Sequence, residues 1–105
     1  MANVYFCWLM TTTLENQKIN TYIDKSKNPF QSCEAHNNKS SKYKKTRPAA
    51  GNWELKMIIG PFNRNDSITF KNLWKSESRG IKSRLSRGVE LAISHKKICW
   101  DSDFK

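Results

Sequence analysis

The stretch Asn3-Val4-Tyr5-Phe6-Cys7-Trp8-Leu9-Met10-Thr11-Thr12 decides the fold. In an extended chain successive side chains alternate, so Val4, Phe6, Trp8 and Met10 share one side and Tyr5, Cys7 and Leu9 the other. Both sides are apolar, which predicts a strand that needs cover on both faces. Downstream, Asn16 to Lys18 form a polar turn, and Ile19 to Ile23 is a β-prone run that supplies a hairpin partner. Asn28-Pro29 starts a helix, with Asn as cap and Pro at the first helical position, where its missing N–H costs nothing; this helix runs to about Asn37. From Trp53 to Ile59 the chain alternates again, with Trp53, Leu55, Met57 and Ile59 inward against Glu54 and Lys56, until Gly60-Pro61 stops it. Asn65-Asp66-Ser67 caps a second helix that sets Phe70, Leu73 and Trp74 on one face. Ser86-Arg87-Gly88 precedes a short third helix carrying Val89, Ala92 and Ile93. The order strand, strand, helix, strand, helix, helix gives an α+β fold, a small mixed sheet covered by helices. One domain spans residues 1–99, and residues 100–105 form a tail.

At 105 residues the chain has length for a single domain. Hydrophobic residues make up only 37%, but four Trp, five Phe and three Tyr supply enough apolar area to argue against disorder. Lys and Arg total 19 against nine Asp and Glu, and a formal charge of +10 points to an anionic partner, nucleic acid before an acidic membrane surface. The longest apolar run, Val4 to Met10, falls far short of the roughly 20 residues of a membrane span and follows no basic segment, so the expectation is an intracellular protein with no membrane contact. Cys7, Cys33 and Cys99 are odd in number and widely spaced, which predicts free thiols rather than a disulfide framework. Cys33-x-x-His36 and His95-x-x-x-Cys99 are two soft ligand pairs that zinc could use only if the segments met in space. Buried free cysteine is the commoner state, and no metal is assigned.

Cationic residues gather in two places. Lys39, Lys42, Lys44, Lys45 and Arg47 lie in a polar stretch, residues 38–52, with no acid between Glu34 and Glu54. Among them Tyr43 offers a ring on which an unpaired base could stack, so this exposed loop suits backbone tracking with little sequence preference. Lys71, Lys75, Arg79, Lys82 and Arg84, followed by Arg87, form a second cluster that extends the same footprint.

Two tyrosines stand in short strands, Tyr5 in Asn3-Val4-Tyr5 and Tyr22 in Tyr22-Ile23-Asp24; singly, each reads as a packing residue. Their separation, the run from Asn28-Pro29 to His36-Asn37, Gly51-Asn52-Trp53-Glu54-Leu55 with Ile58 to Phe62, Ile68 to Trp74, and Ser83-Arg84-Leu85 follow one another in a characteristic order. Over residues 3 to 91 the chain resembles the GIY-YIG nuclease family, most closely its branched-DNA, structure-specific endonucleases of eukaryotes. That resemblance implies phosphodiester hydrolysis around paired tyrosines, a helix arginine and a metal-holding glutamate. Carried over by position, the site is Tyr5, Tyr22 and His36, but Ser32 stands at the arginine position and Lys71 at the glutamate. Serine supplies no guanidinium to a developing phosphorane charge, and an ammonium repels Mg²⁺ where a carboxylate would bind it. Both motif glycines are also replaced, by Asn3 and Asp24. The expectation is a degenerate, non-catalytic domain that binds branched or single-stranded DNA without a cofactor, in the nucleus. Two alternatives stand beside it: an endonuclease using Mg²⁺ or Mn²⁺ through Asp24, Glu34 or Glu54, and a protein-interaction module that competes for the nuclease's scaffold partner.

Overall fold

Strand β1 (Tyr5–Thr13) is apolar on both sides because it is an inner strand with helices above and below. The computed structural model describes residues 3–14, 16–37 and 53–102. In chain order β1 is followed by β2 (Ile19–Ser26), α1 (Pro29–Asn37), β3 (Glu54–Phe62), α2 (Arg64–Ser76), α3 (Gly80–Ser94) and β4 (Ile98–Asp101). The sheet order is β2-β1-β3-β4. The α+β class holds, with one correction: every pairing is antiparallel, so the sheet is not mixed.

Helices α2 and α3 cover one face, where Phe70, Trp74, Leu91 and Ala92 close over Cys7, Leu9, Ile23, Met57 and Ile59. Helix α1 covers the other, with Cys33 against Trp8, Met10 and Trp53. Full burial of side chains of this size contributes roughly 1.5–3 kcal/mol each. The β1–β2 ladder is regular, whereas β3 is bulged twice against β1. Leu9 pairs with Met57 while Met10 pairs with Leu55, which inserts Lys56 as an extra residue and reverses the alternation. Trp53, Leu55, Met57 and Ile59 therefore do not share a face: Trp53 and Leu55 pack toward α1, Met57 and Ile59 toward α2 and α3.

Four sequence expectations are corrected. Gly60-Pro61 does not end β3, because it sits in the second bulge, between the Cys7–Ile59 and Tyr5–Phe62 pairs, where a residue without an N–H is tolerated. The cap of α2 is Asn63: its Oδ1 accepts from the Asp66 N–H at 2.8 Å, and its Nδ2 donates to Asp66 Oδ2 at 3.0 Å. Helix α3 begins at Gly80, and its inward face is Gly88, Leu91 and Ala92, leaving Val89 and Ile93 exposed. Trp100 and Asp101 are not tail but part of β4, paired with Ile58 and Met57. Among the described residues no helix is long and apolar enough to cross a membrane.

Candidate nucleic-acid interface

The regular β1–β2 ladder assigns each site residue to a face. Tyr22 pairs with Met10 and joins the α1 side, where its ring lies 5.3 Å from His36 and 6.3 Å from Trp53, and Trp8 lies 6.0 Å from His36. The Tyr22 hydroxyl donates to Asp24 Oδ2 at 3.1 Å. His36 is buried, and burial pushes its pKa down, with the nearby Asp24 charge partly opposing. It is a neutral ring at pH 7, packed on edge against Trp8. Ser32, at the arginine position of the resemblance, donates its hydroxyl to Ser26 Oγ at 2.7 Å, and the same Ser26 oxygen accepts from Trp8 Nε1 at 3.0 Å.

Tyr5 is on the opposite face. It stands two residues before Cys7, on the α2 side, with the Lys25 and Lys27 ammoniums 5.1 and 5.7 Å from its ring centroid. The fold therefore brings Tyr22 and His36 together and keeps Tyr5 apart from them. Lys71, half-buried on α2, faces the same side as Tyr5: its backbone hydrogen-bonds the Cys7 thiol and its charge acts on it, as does that of Lys25. Desolvation outweighs both cations and pushes Cys7 up to about 12, so it stays a thiol, donating to the Ser67 carbonyl at 3.2 Å. The result is a half-buried aromatic ring with two ammoniums, Lys25 and Lys27, over it, and with Lys71 beside Cys7 on the same side of the sheet.

Lys25 and Lys27 were missed by reading motifs alone. The signal was present in the alternation from Ile23 to Lys25, which puts Lys25 on the Cys7 side of β2, with Lys27 just beyond the strand's last residue, Ser26.

In the second cluster, Lys75, Arg79 and Lys82 are exposed, while Arg84 is half-buried, with Nε buried and without a hydrogen-bond partner among the described residues and its pKa lowered by desolvation. Arg87 is committed elsewhere, bonding Glu77 through Nε at 2.8 Å and through Nη2, and Glu90 through Nη1 at 3.2 Å. The candidates Lys39, Lys42, Tyr43, Lys44, Lys45 and Arg47 lie outside the described residues.

The ligand pairs considered for zinc are on opposite sides of the sheet: Cys33 and His36 on the α1 side, and His95, against Phe70, with Cys99 on the other. All three cysteines are free. Asp24 bonds Tyr22 and the Lys25 N–H, Glu34 is exposed on α1, and Glu54 pairs with Lys56 at 3.3 Å. Among the described residues no three His, Cys, Asp or Glu side chains converge as a metal-holding group. Compared with known proteins, the chain matches no family model and no curated sequence.

Proposed function

We propose that this chain is a non-catalytic nucleic-acid-binding domain of GIY-YIG type that holds branched or single-stranded DNA by its phosphates. The observation that carries this reading is the Tyr5 ring beneath the Lys25 and Lys27 ammoniums, with Lys71 on the same face. Phosphate contacts of this kind supply affinity without reading sequence. Lys71 supports it further, since a fixed positive charge at the metal position of the resemblance holds a phosphate without activating water. Ser32, bonded into the Ser26–Trp8 pair, is satisfied within the protein. The basic residues of 38–52 add positive charge to the chain that binds, and such a domain works inside the cell, in the nucleus.

The test is titration with fluorescent single-stranded, duplex and four-way-junction DNA at several salt concentrations, with Mg²⁺ or EDTA, and a gel for products. The expected result is binding that weakens steeply with salt, is indifferent to EDTA, yields no products and is reduced in Lys71→Glu. Metal-dependent cleavage lost in Tyr5→Phe would instead make the chain a nuclease. Absence of binding would favour an interaction module for the scaffold partner.

A further inference from the structure

Among the described residues strand β4 is an edge of the sheet, and the sequence around it is self-complementary. When Lys97-Ile98-Cys99-Trp100-Asp101 is laid antiparallel on a copy of itself about Cys99, Lys97 meets Asp101 and Ile98 meets Trp100. We propose that β4 pairs in this register with β4 of a second copy of this chain, across a two-fold axis at Cys99, so that the sheet runs continuously through a dimer.

The backbone orientation suits this axis. The Ser102 N–H donates to the Lys56 carbonyl at 3.0 Å, so Lys56 and Ser102 form a hydrogen-bonded antiparallel pair. Alternation along the β3–β4 register makes Ile58–Trp100 and Gly60–Ile98 pairs of the same kind, and turns the Cys99 N–H and C=O away from β3. The two Cys99 residues can then exchange both bonds at the centre of the new ladder.

The side chains agree with the backbone. Ile98 and Trp100, 75% and 41% exposed, are on the α1 side beside a groove of about 390 Å³ lined by Phe6, Phe30 and Ile58. Cross-strand Ile98–Trp100 contacts, made twice by the symmetry, extend that groove into a covered apolar strip. Lys97 and Asp101 share the other face with Cys99, and their cross-strand pairs put opposite charges together twice once the Lys97 ammonium swings from the Phe62 ring, 5.0 Å away, toward the partner. A slip of one residue would turn every side chain to the wrong face, and a slip of two would part Lys97 from Asp101 and Ile98 from Trp100. The pairing is short and buries roughly 1,200 Å² or less, which makes a weak, concentration-dependent dimer. Two copies of charge +10 repel, so added salt strengthens this association while it weakens DNA binding.

The experiment is sedimentation equilibrium of the whole chain, without nucleic acid and with reductant, across micromolar to millimolar concentration at low and high NaCl. A monomer–dimer equilibrium that tightens with salt is expected. Lys97→Asp should weaken it about tenfold, because two pairs per dimer change from attraction to repulsion. The double variant Lys97→Asp/Asp101→Lys should restore it, and Ile98→Lys, at an exposed position, should abolish it. The proposal is overturned by a monomer at every concentration, which would leave the edge to a different partner. A dimer indifferent to Ile98→Lys, or one the double variant does not restore, overturns it equally.

Discussion

The side-chain amide of Asn37 closes a two-bond ring on the backbone of Trp53: Oδ1 accepts from the Trp53 N–H at 2.6 Å, and Nδ2 donates to its carbonyl at 3.0 Å. These residues bracket 38–52, so the basic segment leaves α1 and enters β3 through one clamp. Cys33 Sγ adds a weak bond to the same carbonyl at 3.6 Å. Asn37→Ala removes two bonds, and at about 1 kcal/mol for each should cost about 2 kcal/mol. In urea denaturation the midpoint should fall with the slope unchanged. An unmoved midpoint would mean that the clamp contributes nothing.

Gly88 is the second close contact. A Cβ there would lie 2.7 Å from Met57 Sδ and 2.8 Å from Trp74 Cζ2, inside the packed face of α3. Alanine gains roughly 1 kcal/mol of helix propensity over glycine. Overpacking against a buried Trp costs typically 1–3 kcal/mol, and Trp74 is fixed by its Nε1 bond to the Arg84 carbonyl at 2.9 Å. Gly88→Ala should therefore lower the thermal midpoint despite its better propensity, and a raised midpoint would show that Met57 gives way freely.

The same glycine explains what the sequence could not disclose about α3. Periodicity counts apolar side chains, so Val89, Ala92 and Ile93 looked like the inward face, while Gly88 is inward because it has no side chain. In β1, by contrast, two apolar faces were legible because nothing interrupts the alternation. In β3 an inserted Lys56 turned half the row over, and a bulge depends on the partner strand, which local pattern does not contain. Tyr5 and Tyr22 were legible as strand residues, but their opposite faces followed only from the register of β1 on β2. Strand β4 was hidden because the turn before it uses Lys96 in place of the usual glycine signal.

That turn yields a further prediction. Lys96 has φ 54°, its N–H donates to the Ile93 carbonyl at 3.1 Å, and the Lys97 N–H donates to Ala92 at 2.9 Å. This is the left-handed cap that reverses α3 into β4, a position that favours glycine. Lys96→Gly should stabilise the chain by up to about 1 kcal/mol, since it relieves the left-handed strain of a side-chain-bearing residue. Calorimetry should show a higher midpoint, and a lower one would mean that the lysine itself holds the turn.

His36 sets a pH dependence. Its folded pKa is depressed by burial below its ordinary 6.5, so on acidification the unfolded chain takes up a proton that the folded chain refuses. Its contribution to stability is complete above about pH 6.5 and is lost as pH falls from there toward the folded pKa. Urea midpoints measured from pH 7.5 to 5 should decline, and His36→Gln should decline less steeply. Parallel declines would assign the effect to other groups.

Lys25 and Lys27 give the last prediction, because neither belongs to the buried core: Lys27 is exposed, and Lys25 is half-buried with its ammonium over Tyr5. Each phosphate contact contributes a slope of about −0.7 in a plot of log K against log salt for single strands, and about −0.9 for duplex. If both ammoniums meet phosphates, Lys25→Ala/Lys27→Ala should flatten that slope by about 1.4 on single strands and weaken binding evenly across sequences. Tyr5→Phe keeps the ring beneath the lysines and should leave the slope unchanged. Tyr5→Ala removes the platform and should weaken binding with less loss of slope, since the charges remain but are no longer held. A double lysine variant with an unaltered slope would place the DNA contacts on the other basic residues and leave the Tyr5 face without a part in binding.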